Sequence, residues 1–436
     1  MEDSRDPTPA GAIMGGRDEV AGLIGVGMGG DAMDAVLTRR RIRLWSIVAA
    51  TVFVTAMVTS WLTVPDQVPL ADFAARWSAG RLLVEGRAVE LYDLAAQTSV
   101  QQTATGTSRS SWFVSPPFVA LVLAPLGALP YALAGVAWTL LSVGALTLSF
   151  MLLRPYAPEV LTRDWRLTLL VAAASYPVLQ VFLVGQDSCF VLLTLAGGIR
   201  LLDAGRDVVA GVVLALGLMK PQLIFVVPIV LLVQRRGRAL GAFVASAVVL
   251  ALLSLAVVGP SGIRDWVALI ASSDYSESVQ QSFAWKAVSV SALLTVLAPD
   301  WGQAWQLATV AAGLLVCLPA ARAFRLTVGR PVLTWGLATG VAVLASPHVL
   351  VYDLVTTAPL LLALACHAWT PRTRVLLVAT NLLLWAAAPV HVLIGDRGWP
   401  ASIVGAPWAA LALGLLCLPL LLASREPVAP SEQVVR

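Results

Sequence analysis

The chain has 436 residues, 58% of them hydrophobic and 12% charged, against about 25% Asp, Glu, Lys and Arg in a soluble domain. So few charges cannot coat a water-soluble particle of this size, and the apolar residues arrive in blocks near the roughly 20 residues that cross a bilayer. The net charge of +4, from 29 basic and 25 acidic residues, is too small an excess to indicate nucleic-acid binding.

Residues 1–37 are rich in Gly and Asp and hold no long apolar run, which predicts a disordered cytoplasmic tail. Gly25, Gly27 and Gly30 stand there in GxGxxG spacing, but a membrane span follows where a βαβ unit is required, which argues against a dinucleotide site. Arg39, Arg40, Arg41 and Arg43 place the N-terminus in the cytoplasm by the positive-inside rule. The first apolar run starts at Leu44 and is long enough to span, so no cleavable signal peptide is read.

Fourteen apolar segments follow, near 44–64, 113–128, 131–153, 167–185, 188–203, 207–219, 222–234, 238–258, 287–298, 303–320, 332–346, 353–370, 374–394 and 402–423. Arginines orient them: Arg154 with Arg163 and Arg166, Arg200 with Arg206, Arg235 with Arg236 and Arg238, Arg322 with Arg325 and Arg330, and Arg372 with Arg374 mark the cytoplasmic side. About twelve complete crossings fit, with 113–128 and 287–298 entering the membrane without crossing it. The expectation is an all-α polytopic membrane protein with its membrane domain over 38–424, an outer loop at 65–112 and a second cytoplasmic tail at 425–436. No internal repeat is visible.

This orientation gathers the unusual polar residues on the other face: the 65–112 loop, Gly185-Gln186-Asp187-Ser188, Met219-Lys220-Pro221-Gln222, the 259–286 loop, Ser346-Pro347-His348 to Asp353, and 395–401. Helix breaks there offer unsatisfied backbone groups to a ligand. Leu70, Phe73, Trp77 and Val84 fall on one helical face, with Asp72 and Arg76 four apart on another, which predicts a helix lying in the membrane interface. Asp72 reads either as a helix-start charge favoured by the dipole or as a chemical group. Of the two lysines, Lys220 ends an apolar run. A membrane-centre Lys costs about 2.5–3.5 kcal/mol, so its reason is either a bound phosphate or snorkelling. Lys286, at the end of a polar loop, needs no special reason.

His348 sits at a helix break with Tyr352 and Asp353 close by, and reads either as an interface histidine satisfied by backbone or as a ligand-facing group. His367 and His391 read as interface residues, and without HxxxH or HExxH spacing a zinc site is not expected. Gln186 and Asp187 make either an ordinary capped turn or a polar site joining two spans. Cys189, Cys317, Cys366 and Cys417 lie in apolar stretches and read as packing residues.

Asp72-Phe73 with Gly86 and Leu91-Tyr92, Ser115-Pro116-Pro117 with Pro125 and Leu129-Pro130, Trp138, Gly185-Gln186-Asp187, Lys220-Pro221-Gln222, Trp285-Lys286 with Ser289, and Ser346-Pro347-His348 with Tyr352-Asp353 resemble glycosyltransferase family eighty-seven over about residues 44–370. The resemblance implies the GT-C membrane fold and a polyprenyl-phosphate-mannose-dependent α-mannosyltransferase. Such an enzyme moves a sugar from a polyprenyl-phosphate donor to a glycolipid or lipid-linked glycan acceptor, on the outer face of the plasma membrane. It implies Asp72 as the base of an inverting single displacement. The phosphate is already a good leaving group, so cations that hold it are needed and a second carboxylic acid is not.

Substrate binding then falls to Arg76, Arg81, Gln186, Asp187, Lys220, Gln222, Lys286, His348, Tyr352 and Asp353. No cofactor is expected, with assistance by a divalent metal left open. The expected partners are the lipid-phosphate sugar donor, the glycolipid acceptor and membrane lipids, without nucleic acid, for a monomer with both termini cytoplasmic. The competing class is a membrane transporter or flippase of a lipid-linked sugar, which calls for inverted repeats and ionisable residues near mid-membrane. A purely structural subunit would leave Asp72 replaceable.

Overall fold

The computed structural model describes residues 38–63, 69–275, 277–278, 282–297, 304–394 and 405–425. The tail 1–37 with its glycines, the outer stretch 395–401 and all of the 425–436 tail except Arg425 lie outside the described residues. The longer helices are α1 Arg39–Thr63, α2 Ala71–Val84, α3 Leu94–Thr105, α4 Pro117–Gly127, α5 Tyr131–Leu153, α6 Trp165–Ala173, α7 Tyr176–Val184, α8 Ser188–Asp203 and α9 Asp207–Leu216. They continue as α10 Val226–Val233, α11 Gly237–Ile270, α12 Val290–Leu297, α13 Ala304–Leu326, α14 Pro331–Ala345, α15 Ala358–His367, α16 Pro371–Ile394 and α17 Trp408–Ala423. Among the described residues there is no β-strand, only an isolated bridge between Ala287 and Leu350.

Among the described residues four helices, all or most of α1, α5, α11 and α16, are long and apolar enough to cross a membrane, or five spans if α6 and α7, bent by 55° at their junction, count as one. The expected number near twelve is therefore not reached by helices of spanning length. Most other apolar runs are broken into helices of 10–17 residues, about 15–25 Å at 1.5 Å per residue. Prolines at the helix starts, as at Pro117 and Pro331, mark several of these breaks. The two segments expected to enter without crossing form α4 and α12, of 11 and 8 residues. Where a loop was expected to begin after residue 258, α11 instead kinks at Gly259 (φ 70°, ψ 179°) before Pro260 and carries on as a helix to Ile270.

Two apolar cores hold the helices. The larger one packs α8 against α5 and α9, and α14 against α13, α15 and α17. The smaller one surrounds α2 with α4, the start of α5 and the far leg of α11. Here the one-sided apolar face expected from sequence is corrected. α2 buries residues all around its axis, among them Phe73, Ala75, Arg76, Trp77, Ser78 and Leu82. Its close partner is α4: a Cβ on Gly127 would overlap the backbone of Gly80 and Arg81, so the two helices cross in backbone contact. Phe73 stacks on Trp138 at 5.2 Å and Tyr131 at 6.0 Å, and Trp77 Nε1 donates to the Leu129 carbonyl at 3.0 Å. The one-sided pattern failed as a guide because the polar members Arg76 and Ser78 find partners inside the protein.

Candidate functional site

Five of the six segments placed on one face from their sequence meet around one cavity of about 690 Å³; the sixth, 395–401, lies outside the described residues. The cavity is possible because helix ends converge on it. Gly185 ends α7 in the left-handed region (φ 72°), and its missing Cβ leaves room for the Cβ atoms of Phe73 and Leu70, so the 185–188 turn seats directly on the start of α2. Trp138 Nε1 holds the Gly185 carbonyl at 2.9 Å. Lys220 lies at the break before Pro221, and Asp353 stands in the 3₁₀ turn Val351–Thr357, where it accepts from the Leu350 amide at 3.2 Å.

A buried network of charged and polar side chains joins these breaks. Arg76 donates through Nε to Asp187 Oδ2 at 3.0 Å, through Nη2 to Gln186 Oε1 at 2.8 Å and through Nη1 to the Asp72 carbonyl at 2.8 Å. Lys220 Nζ donates to Asp353 Oδ1 at 2.6 Å, Gln186 Oε1 at 3.0 Å and Ser188 Oγ at 3.0 Å. It lies 3.0 Å from Asp187 Oδ1 and 5.0 Å from the centre of the Tyr352 ring. Gln186 Nε2 donates to Asp72 Oδ2 at 2.6 Å. A charge taken out of water needs such pairing, and here Arg76 and Lys220 are both committed to carboxylates.

Of the residues expected at the site, Asp72, Arg76, Gln186, Lys220, Gln222, Lys286, His348, Tyr352 and Asp353 line the cavity. Asp187 stands behind it, 2% exposed, tying the two cations together. Arg81 does not join them: its guanidinium pairs with Glu85 at 2.7 Å, one turn along α2 on the exposed side. Asp72 stands in the first turn of α2, as a helix-start charge does, and one of its oxygens is also engaged by Gln186 from across the chain.

The two lysines turn out unlike each other. Lys220 is paired, whereas Lys286 makes no ion pair among the described residues and rests 4.0 Å from the centre of the Phe283 ring. Burial lowers the Lys286 ammonium from its ordinary value, with Asp72 opposing, as expected for a cation that faces an open space and no counter-ion.

His348 meets Tyr275 edge-on at 6.4 Å, and burial lowers its imidazole to about 4, so it is neutral at physiological pH. Between about pH 6.5 and 4 the unfolded chain takes up this proton and the folded one does not, so stability should fall as pH drops through that window. Thermal unfolding of the purified protein across the window, compared with His348→Gln, checks this: the variant should show a flatter pH dependence.

Several site residues carry no sequence signal of their own. Trp112, Phe113, Trp266, Tyr275 and Phe283 form an aromatic wall of the cavity. Its loop is fixed by two buried glutamines of α3. Gln97 Oε1 accepts from the Phe113 amide and Gln101 Oε1 from the Ser111 amide, each at 2.8 Å. Helical spacing of Gln97 and Gln101, four apart, is the only trace of this clamp in the sequence.

No curated protein and no solved structure matches the chain. A family model does: glycosyltransferase family 87 matches residues 113–347, which include the 185–188 turn, Lys220, Lys286 and the aromatic wall from Phe113 onward. With a match over more than half of its length, the chain belongs to glycosyltransferase family 87 and is a membrane glycosyltransferase.

Proposed function

We propose that the protein transfers a sugar, mannose being favoured by the motif resemblance, from a polyprenyl-phosphate donor to a glycolipid or lipid-linked glycan acceptor. The observation that carries this reading is that one cavity is lined by a carboxylate and a cation, Asp72 and Lys286, that form no ion pair within 4 Å among the described residues. In the proposed step Asp72 takes the proton of the acceptor hydroxyl as its oxygen bonds to the anomeric carbon. The bond from that carbon to the phosphate oxygen breaks, and its electron pair leaves on the polyprenyl phosphate. Charge therefore grows on the phosphate, where a fixed cation stabilises it most in the transition state. Lys286 is the cation for that role, and neutral His348 adds a hydrogen-bonding group beside it. One displacement inverts the anomeric centre.

The arginine-marked side supports a cytoplasmic location for both termini and the opposite face for the cavity. The test is direct: the purified protein in lipid nanodiscs, given radiolabelled polyprenyl-phosphate mannose or arabinose with lipid acceptors, should label the acceptor from one donor. Absence of transfer from both, together with donor translocation across vesicles, would replace this reading with the flippase.

A further inference from the structure

We propose that Gln186 is a positioning residue for the Asp72 carboxylate, its amide locked in a single orientation by Arg76 and Lys220. The proposal rests on the reading of Asp72 as the base. A side-chain amide has two orientations of nearly equal shape, and its hydrogen-bond partners decide between them. Gln186 is 5% exposed, and its Oε1 faces Arg76 Nη2 at 2.8 Å and Lys220 Nζ at 3.0 Å, groups that can only donate. Flipping the amide would turn its NH₂ toward two cations and its carbonyl toward a carboxylate, losing three charge-assisted hydrogen bonds at once. The Nε2 atom is therefore held on Asp72 Oδ2 at 2.6 Å.

The lock is itself anchored. Asp187 grips Arg76 and Lys220, each at 3.0 Å, and Asp353 grips Lys220 at 2.6 Å. Gly185, pinned by Trp138, fixes the backbone from which Gln186 projects. Asp187, the two cations and Gln186 thus form a tether that ends on one oxygen of Asp72. The other oxygen, Oδ1, has no hydrogen-bond partner among the described residues and is left to face an acceptor hydroxyl. An amide suits this place in a way that a carboxylate does not. Glu at 186 would hold both cations equally well but would set an oxygen against the Asp72 carboxylate.

Steady-state kinetics of the full chain in nanodiscs, with polyprenyl-phosphate mannose as donor and a synthetic alkyl mannoside as acceptor, test the proposal through Gln186→Met and Gln186→Glu. A carboxylate out of line by about 1 Å costs about 100-fold, so kcat should fall by about that factor in Gln186→Met while both KM values stay within about twofold. Gln186→Glu, which keeps the cation contacts and so the fold, should lose at least as much kcat. A raised KM with kcat retained would make Gln186 a substrate contact and overturn the proposal, as would wild-type kcat in the Glu variant. Wild-type turnover in Asp72→Asn would remove the base reading itself, whereas an inactive Asp72→Asn beside fully active Gln186 variants would remove only the positioning role.

Discussion

Replacing Asp72 with Asn is expected to lower transfer by about 100-fold or more, the usual weight of a general base, while the protein still folds and accumulates. The geometry separates the two effects. The Asp72 side chain belongs to no ion pair among the described residues, and its contact with Arg76 runs through the backbone carbonyl. Asn has nearly the same volume and offers an oxygen to which Gln186 Nε2 can still donate. What disappears is the charge and the ability to take a proton. The measurement is kcat in the nanodisc transfer assay alongside thermal unfolding; full activity in a correctly folded variant would sink the base assignment.

Lys220→Met and Lys286→Met should fail in opposite ways. Removing Lys220 leaves Asp187 and Asp353, 2% and 3% exposed, without the ammonium they share, and loss of one partner of a buried pair costs about 3–5 kcal/mol. Loss of monodisperse, folded protein is the expected result. Removing Lys286 breaks no ion pair among the described residues, so thermal unfolding should barely move. Because the contact of Lys286 with the phosphate strengthens as the leaving charge develops, kcat should fall by about tenfold or more, the weight of a hydrogen bond to a charged group. A stable Lys220→Met protein with only a lowered kcat would exchange the two roles.

The contrast between the lysines shows where a sequence reading stops. In a chain with so few charges, each ionisable residue in an apolar run has to be accounted for, and that scarcity is why Asp72, Arg76, Lys220, His348 and Asp353 could be singled out before any coordinates. Scarcity says nothing about pairing. Lys220 stood out because it ends an apolar run, yet its partners lie 33 residues upstream at Asp187 and 133 downstream at Asp353. Its charge is balanced by two carboxylates of the protein itself, Asp187 and Asp353. Arg81 could have been set aside from sequence, since Glu85 follows it at i,i+4 spacing. The all-helical character was legible from the apolar blocks. The span count was not, because a run of apolar residues does not reveal where Gly and Pro cut it into pieces too short to cross. The burial of α2 was hidden for a similar reason: close crossing at Gly80 and Gly127 is a property of two segments together.

The short arms on either side of Lys220 carry a consequence for how the donor arrives. The apolar runs Asp207–Met219 and Pro221–Val233 both belong to the class of 10–17 residues and reach about 15–25 Å, short of the roughly 30 Å of hydrocarbon. A hairpin that enters from one side on such arms turns round before it meets the opposite water. In the proposed orientation this would set its apex, and the network built on it, at the depth of the acyl chains and headgroups of the far leaflet. A lipid-borne donor of the kind proposed would then approach sideways with its phosphate at the right depth, whereas a water-borne nucleotide sugar would have to be drawn down into the bilayer before it could react.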